Sequence, residues 1–235
     1  IYVNGKLLAE HFGGYLPVVV DVTDALEFGK ENLIAVWADN SNDPNYPPGK
    51  QQEVLDFTYF GGIYRDCWLI AHNQVFITDP NYENEEAGGG LFVAYNNVSD
   101  HSAEVLLKIQ IRNSRRKAFK GVVEYELQQP DGQQVASLNS VIRIKPGKST
   151  YSSDKLTVKS PMLWSPENPA LYNLIVRIRD EKGNPIDGYR RRIGIRSIEF
   201  KGEDGFWLNG KPYEAPLIGA NRHQDCAIVG NAVPN

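Results

Sequence analysis

The chain has 235 residues, 41% hydrophobic and 23% charged, with a net charge of −4 at neutral pH. That is an ordinary globular composition with room for about one to two domains. Its acidic balance argues against nucleic acid or an anionic membrane as partner, and no apolar run approaches the roughly 18 residues of a membrane span.

The first residues, Ile1-Tyr2-Val3, read as a strand entering the turn Asn4-Gly5, a pair that tolerates the positive φ of a tight hairpin. Neither end carries a start or stop signal, so the expectation is a piece of a longer protein. Apolar, β-branched runs predict strands over 16–21 and 32–38, with a short helical turn over 21–26 between them. A polar loop over 39–53 carries Pro44, Pro47 and Pro48, and structureless loops of that length are often functional. After Gly61-Gly62 a further strand is expected over 64–71. These segments fit a β-sandwich.

A connection follows, with a solvated acidic and glycine-rich loop expected over 83–90. Then Val105, Leu107, Ile109 and Ile111 alternate with polar residues, as do Val123, Tyr125 and Leu127, which marks half-buried strands. Strands are also expected over 135–144, 149–158, 171–180 and 186–195, separated by Pro130-Asp131-Gly132, Lys145-Pro146-Gly147 and Lys182-Gly183-Asn184. About seven strands in ~120 residues is the size of an immunoglobulin-like sandwich. Arg115-Arg116-Lys117 reads as a solvated hairpin tip. From Ile198 something new begins: Asn209-Gly210 predicts another hairpin, and Leu217-Ile218-Gly219 reads as a short buried strand.

Chemistry has few places to live. His11, His72, His101 and His223 show no metal-ligand spacing, and no nucleophile-elbow motif is present. Cys67 and Cys226 make neither a disulfide framework nor a zinc site, and their contexts predict reduced, packed thiols. Two stretches rise above this. In 56–66, a leading carboxylate, four aromatics and two glycines suit a sugar-facing surface, since rings stack on sugar C–H faces and Asp accepts from hydroxyls. For Phe57, Phe60 and Tyr64 the preferred reading is core, and for Arg65 and Asp66 a structural ion pair, leaving Asp56 as the candidate. The second is Asn221-Arg222-His223-Gln224-Asp225, polar groups crowded after an apolar segment and better explained by a ligand than by packing.

Ordered motifs run the whole length: Val3-Asn4-Gly5-Lys6, Gly13-Gly14-Tyr15, Val20-Asp21-Val22-Thr23, Glu31-Asn32-Leu33, Gly61-Gly62-Ile63-Tyr64-Arg65-Asp66, Trp164-Ser165-Pro166-Glu167-Asn168-Pro169, Gly194-Ile195-Arg196, Leu208-Asn209-Gly210-Lys211-Pro212 and Gly219-Ala220-Asn221-Arg222-His223. In them the chain resembles glycoside hydrolase family 2, the β-galactosidases, β-glucuronidases and β-mannosidases, with β-galactosidases the nearest likeness. The resemblance implies an all-β fragment: a truncated jelly-roll, galactose-binding-like sandwich over 1–73 and an immunoglobulin-like sandwich over 74–197. Residues 198–235 would then be the opening hairpin and first strand of a (β/α)8 catalytic barrel.

It further implies a retaining exo-β-glycosidase with two glutamates ~5–5.5 Å apart as acid/base and nucleophile, both beyond Asn235, so the fragment alone is expected to be inactive. By the same resemblance His223 and Asp56 contact substrate, Asn221 and Arg222 support that contact, and Asp56 also reaches a sodium ion. Magnesium ligands would lie beyond Asn235, leaving this chain without a cofactor. The implied partner is a carbohydrate substrate, and a homo-oligomer is compatible. Leu217-Ile218-Gly219 departs from the family's usual Leu-Arg-Gly, which puts the local strand register in question. The competing readings are a non-catalytic carbohydrate-binding or adhesion module and a structural spacer.

Overall fold

The computed structural model describes all residues except Asp56, Tyr59, Ala87, 222–225, 227–229, Asn231 and 233–235. The chain is mostly β, in several antiparallel sheets. It divides into two compact units, Ile1–Ile70 with Ile218–Asn235, and Ala71–Leu217.

In the first unit regular structure is sparse. Strands β1 (Tyr2–Val3), β2 (Lys6–Leu7) and β3 (Ile34–Ala35) form one small sheet in the order β2-β1-β3. The Asn4-Gly5 turn forms as expected, with φ of 51° and 80°. Asn4 then acts as the hub of the sheet: its amide donates to Ala25 O (2.9 Å) and Asn32 Oδ1 (2.8 Å), and its Oδ1 accepts from Leu33 N (2.9 Å). The expected helical turn is a single 3-10 turn, Thr23–Ala25, opened by Asp21 Oδ1 accepting from Thr23 N.

The strands expected over 16–21 and 64–71 are not formed, and of 32–38 only Ile34–Ala35 pairs. A strand is defined by partner strands, and the described residues supply none for these runs. Their side chains accordingly stand in solvent, among them Leu16, Trp37, Trp68 and Leu69. Val3 is the one fully buried apolar side chain among the described residues of this unit.

The second unit is built very differently. Strand β4 (Val75–Ile77) precedes one helical turn, α1 (Pro80–Glu83), capped by Asp79 accepting from Asn81 N and Tyr82 N. Then come β5 (Leu91–Asn96), β6 (Ser102–Asn113), β7 (Phe119–Gln128), β8 (Gln134–Ile144), β9 (Lys148–Lys159), β10 (Tyr172–Asp180) and β11 (Pro185–Ile193). The last six lie where alternation placed them. One sheet has the order β11-β10-β7-β8; in the other, β6 pairs with β4, β5 and β9.

Period-two alternation puts Val105, Leu107, Ile109 and Ile111 of β6 on the same core as Val123, Tyr125 and Leu127 of β7 and Leu174, Val176 and Ile178 of β10. Each such aliphatic side chain, fully buried, contributes about 1.5–3 kcal/mol, so this unit carries its own stability. Asp187 of β11 ties the sheets at one margin by accepting from Ile77 N at 2.7 Å.

In the loop expected to be solvated over 83–90, Asn84, Glu85 and Glu86 are exposed, but Gly88 to Gly90 are buried, which corrects the expectation for the glycine run. A Cβ on Gly89 would stand 2.7 Å from Pro80 Cα and one on Gly90 2.8 Å from Pro80 Cδ. The run is glycine because α1 lies directly against it. Finally, β12 (Ile198–Phe200), β13 (Phe206–Leu208) and β14 (Lys211–Pro212) form a small antiparallel sheet, with Asn209 and Gly210 at φ of 53° and 75° in the predicted turn. No strand forms over 217–219. Leu217 is 63% and Ile218 85% exposed, because no described strand lies beside them.

Candidate functional site

Of the four site residues predicted from sequence, His223, Arg222 and Asp56 lie outside the described residues, and with Asp56 the sodium contact. Asn221 is exposed and outside any regular element. Only Asn221 of the four therefore has a described position.

Around position 56 the neighbours are described. Tyr64 donates its hydroxyl to Gly14 O, joining two of the ordered motifs. The Arg65 guanidinium lies over the Tyr64 ring, 5.5 Å from its centre. Gly61 packs against Asn40, where a Cβ would come within 2.6 Å of the amide carbon. In the proline-bearing loop, Tyr46 stacks on Phe12 with ring centres 4.6 Å apart. Phe57 and Tyr64 are only half-buried and Phe60 is 38% exposed, which corrects their reading as core. Cys67 and Cys226 are exposed free thiols, not packed ones. Both corrections have one cause, the thin core of this unit.

In the second unit, three motifs that are far apart in sequence close on one another. Trp164 N donates to Ile195 O (2.8 Å), and Asn209 Nδ2 donates to Trp164 O (3.0 Å). Asn209 Oδ1 accepts from Ser197 N at 3.1 Å. The Arg196 guanidinium sits over the Trp164 ring at 4.9 Å, and a Cβ on Gly194 would meet that ring's Cδ1 at 2.9 Å. Tyr213 donates to Glu167 Oε1 at 2.8 Å. The Glu167 carboxyl is held below the usual range by its own backbone N–H first and by the Tyr213 hydroxyl second. This cluster fixes the β12–β14 hairpin on the unit. It is a structural joint that the sequence motifs marked without saying what they did.

The electrostatics of the sheets are equally structural. Glu126 is held below its ordinary value chiefly by Arg177, which donates at 2.7 Å, and Glu124 pairs with Arg179 at 2.8 Å. Burial pushes the Tyr125 and Tyr172 hydroxyls up. Among the described residues no three His, Cys, Asp or Glu side chains converge as metal ligands, and no helix is long and apolar enough to cross a membrane.

What the fold and these joints define is a β-sandwich region in which ordered motifs serve as fastenings. The model of the family described as glycosyl hydrolases family 2 matches residues 90–196. The β-galactosidase of Thermoanaerobacter pseudethanolicus is 32% identical over 236 residues, covering all of this chain and 29% of that protein. The β-glucuronidase of Bacteroides fragilis is 32% identical over 235 residues, covering 99% of this chain and 32% of that protein. Among solved structures, a Bacteroides uniformis β-glucuronidase superposes with a TM-score of 0.84 at 33% identity, over 99% of this chain and 27% of the other. The region over 90–196 belongs to glycosyl hydrolase family 2, and the chain spans about a third or less of the length of these relatives.

Proposed function

We propose that this chain is the non-catalytic leading part of a retaining exo-β-glycosidase that removes terminal β-linked sugars. The observation that carries the reading is the end-to-end match to glycosidases combined with the convergence of Trp164, Arg196 and Asn209. That joint fastens the β12–β14 sheet, which in sequence leads directly to the Asn221-Arg222-His223 motif, and this favours an enzyme part over an adhesion module. In this reading residues 1–73 are a jelly-roll sugar-binding part, 74–197 an immunoglobulin-like sandwich, and 198–235 the opening of a (β/α)8 barrel. The two catalytic glutamates would lie beyond Asn235. His223, Asp56, Asn221 and Arg222 would then contact or support contact with the sugar, with sodium at Asp56.

The motifs favour a β-galactoside as substrate. The relatives divide between β-galactosidases and β-glucuronidases, so a β-glucuronide is the second choice. The test is to assay the longest protein that contains this chain on aryl β-galactoside, β-glucuronide, β-mannoside and β-glucoside, beside the 235-residue chain. Turnover of one substrate by the long protein and none by the short chain is expected. A folded long protein silent on all four would overturn the reading in favour of a carbohydrate-binding module.

A further inference from the structure

At one end of the second unit two hairpin tips lie side by side: 114–118 between β6 and β7, and 145–147 between β8 and β9. A single side chain joins them. Asn113, fully buried, donates through Nδ2 to Lys117 O (2.9 Å), Ile144 O (3.2 Å) and Lys145 O (3.3 Å), and accepts through Oδ1 from Arg115 N (3.0 Å). Asn113 is also in register with Lys148 across the β6–β9 ladder.

This arrangement gathers Arg115, Arg116, Lys117, Lys145 and Lys148. No acidic residue occurs over 112–123 or 139–153, although the chain as a whole is negative. Carboxylates of the same unit are committed elsewhere: Glu83 to Arg112 (3.5 Å), Glu181 to Lys120 (2.7 Å), and Asp187 to Ile77 N and His72. None of the five cations has a carboxylate partner among the described residues. Arg115 is held in place, donating to Asn73 Oδ1 at 3.0 Å with its guanidinium 5.5 Å from the Phe119 ring centre. Beside it opens a cleft of about 430 Å³ lined by Gln74, Ser114, Arg115, Arg116 and Lys117.

Like charges gathered on two joined tips with no carboxylate between them repel one another, and a bound anion relieves that repulsion. Several cations spread over two tips suit a ligand with repeated anionic groups. Gln74, Ser114 and Asn73 add neutral partners for hydroxyls. No ring is offered for base stacking, since Phe119 is 3% exposed, and neither tip bears an exposed large apolar side chain for a membrane. We propose that these two joined tips anchor an acidic polysaccharide, a sugar chain bearing carboxylate or sulfate groups. The choice of a sugar chain rests on the glycosidase reading above; the site itself does not.

The test is affinity electrophoresis of the longest protein containing this chain, in gels holding polygalacturonate (carboxylates only), dextran sulfate (sulfates only), neutral dextran, or double-stranded DNA. At physiological salt, retardation is expected in one or both polyanionic glycans and not in neutral dextran, and which glycan retards identifies the group read. The combined Arg116→Ser, Lys117→Ser and Lys145→Ser variant should weaken that binding by roughly tenfold or more. Lys6→Ser, Lys50→Ser and Lys182→Ser together remove the same charge elsewhere and should leave it nearly unchanged. No retardation by either glycan, equal loss in both variants, or tighter binding to DNA would overturn the proposal. Aryl-glycoside turnover is measured on the same proteins. Turnover without polymer binding rejects only the anchor, and binding without turnover rejects only the enzyme reading.

Discussion

Asn209 shows how much one side chain can decide. It adopts a φ of 53°, bonds Trp164 O and accepts from Ser197 N, so it serves turn and joint together. Asn209→Ala removes both side-chain bonds and strains the turn, and a loss of about 2 kcal/mol is expected in denaturant unfolding followed by tryptophan fluorescence. Asn209→Gly should restore the turn but not the joint, and so fall between the two. The Glu126–Arg177 pair sets a pH dependence. Its carboxyl titrates below the ordinary 4.5 in the folded chain, so the pair's contribution is present above that pH and is lost as pH falls through the lowered value. Arg177's side chain is 38% exposed, so screening limits the effect to about 0.5 kcal/mol. Glu126→Gln should cost that amount at neutral pH and nothing at pH well below the carboxylate range, measured as the gap between the two unfolding curves.

At the scale of elements, β7 and β10 form the centre of their sheet, and Gly121 is where β7 passes closest to its neighbours. A Cβ there would stand 2.2 Å from Arg179 O and 2.6 Å from Phe119 Cζ. Gly121→Ala therefore forces the β7–β10 ladder or the Phe119 ring to move, at roughly 2–3 kcal/mol. Gly183→Ala in the β10–β11 turn meets open space and strains only a φ of 82°, so about 1 kcal/mol is expected. Equal thermal shifts for the two would contradict the crowding argument.

For the whole molecule the contrast between units matters most. The second unit owns a continuous apolar core, whereas the first buries one apolar side chain fully among its described residues and leaves Leu16, Leu33, Trp37, Trp68 and Ile70 exposed. Exposed apolar runs on this scale invite a covering partner or aggregation. In hydrogen exchange the amides of β1–β3 should exchange well before those of β6, β7 and β10, and limited proteolysis should first cut within Ile1–Ile70. Uniform protection across both units would show that something covers the first.

Much of this was legible in the chain itself. Alternation in 105–111 and 123–127 marks strands because side chains on a pleated backbone point alternately to core and solvent, a local rule. Asn4-Gly5 and Asn209-Gly210 mark hairpins because positive φ is a property of those residues alone. Apolar runs such as 16–20 and 68–70 carry the same composition as buried strands, yet strand formation depends on a neighbour that composition does not encode. That is why they misled, and why Leu217 and Ile218 did as well. The motifs offered Asp56 and Asn221-Arg222-His223 as candidates, but the convergence of Trp164, Arg196 and Asn209 was not legible in them. Nor was the joining of two basic tips by Asn113. By itself the sequence determined the β class, the turns and the family likeness, all of which follow from residue type and order. Only the tertiary structure decided which apolar runs are buried and which distant side chains meet, because burial and contact are properties of partners in space.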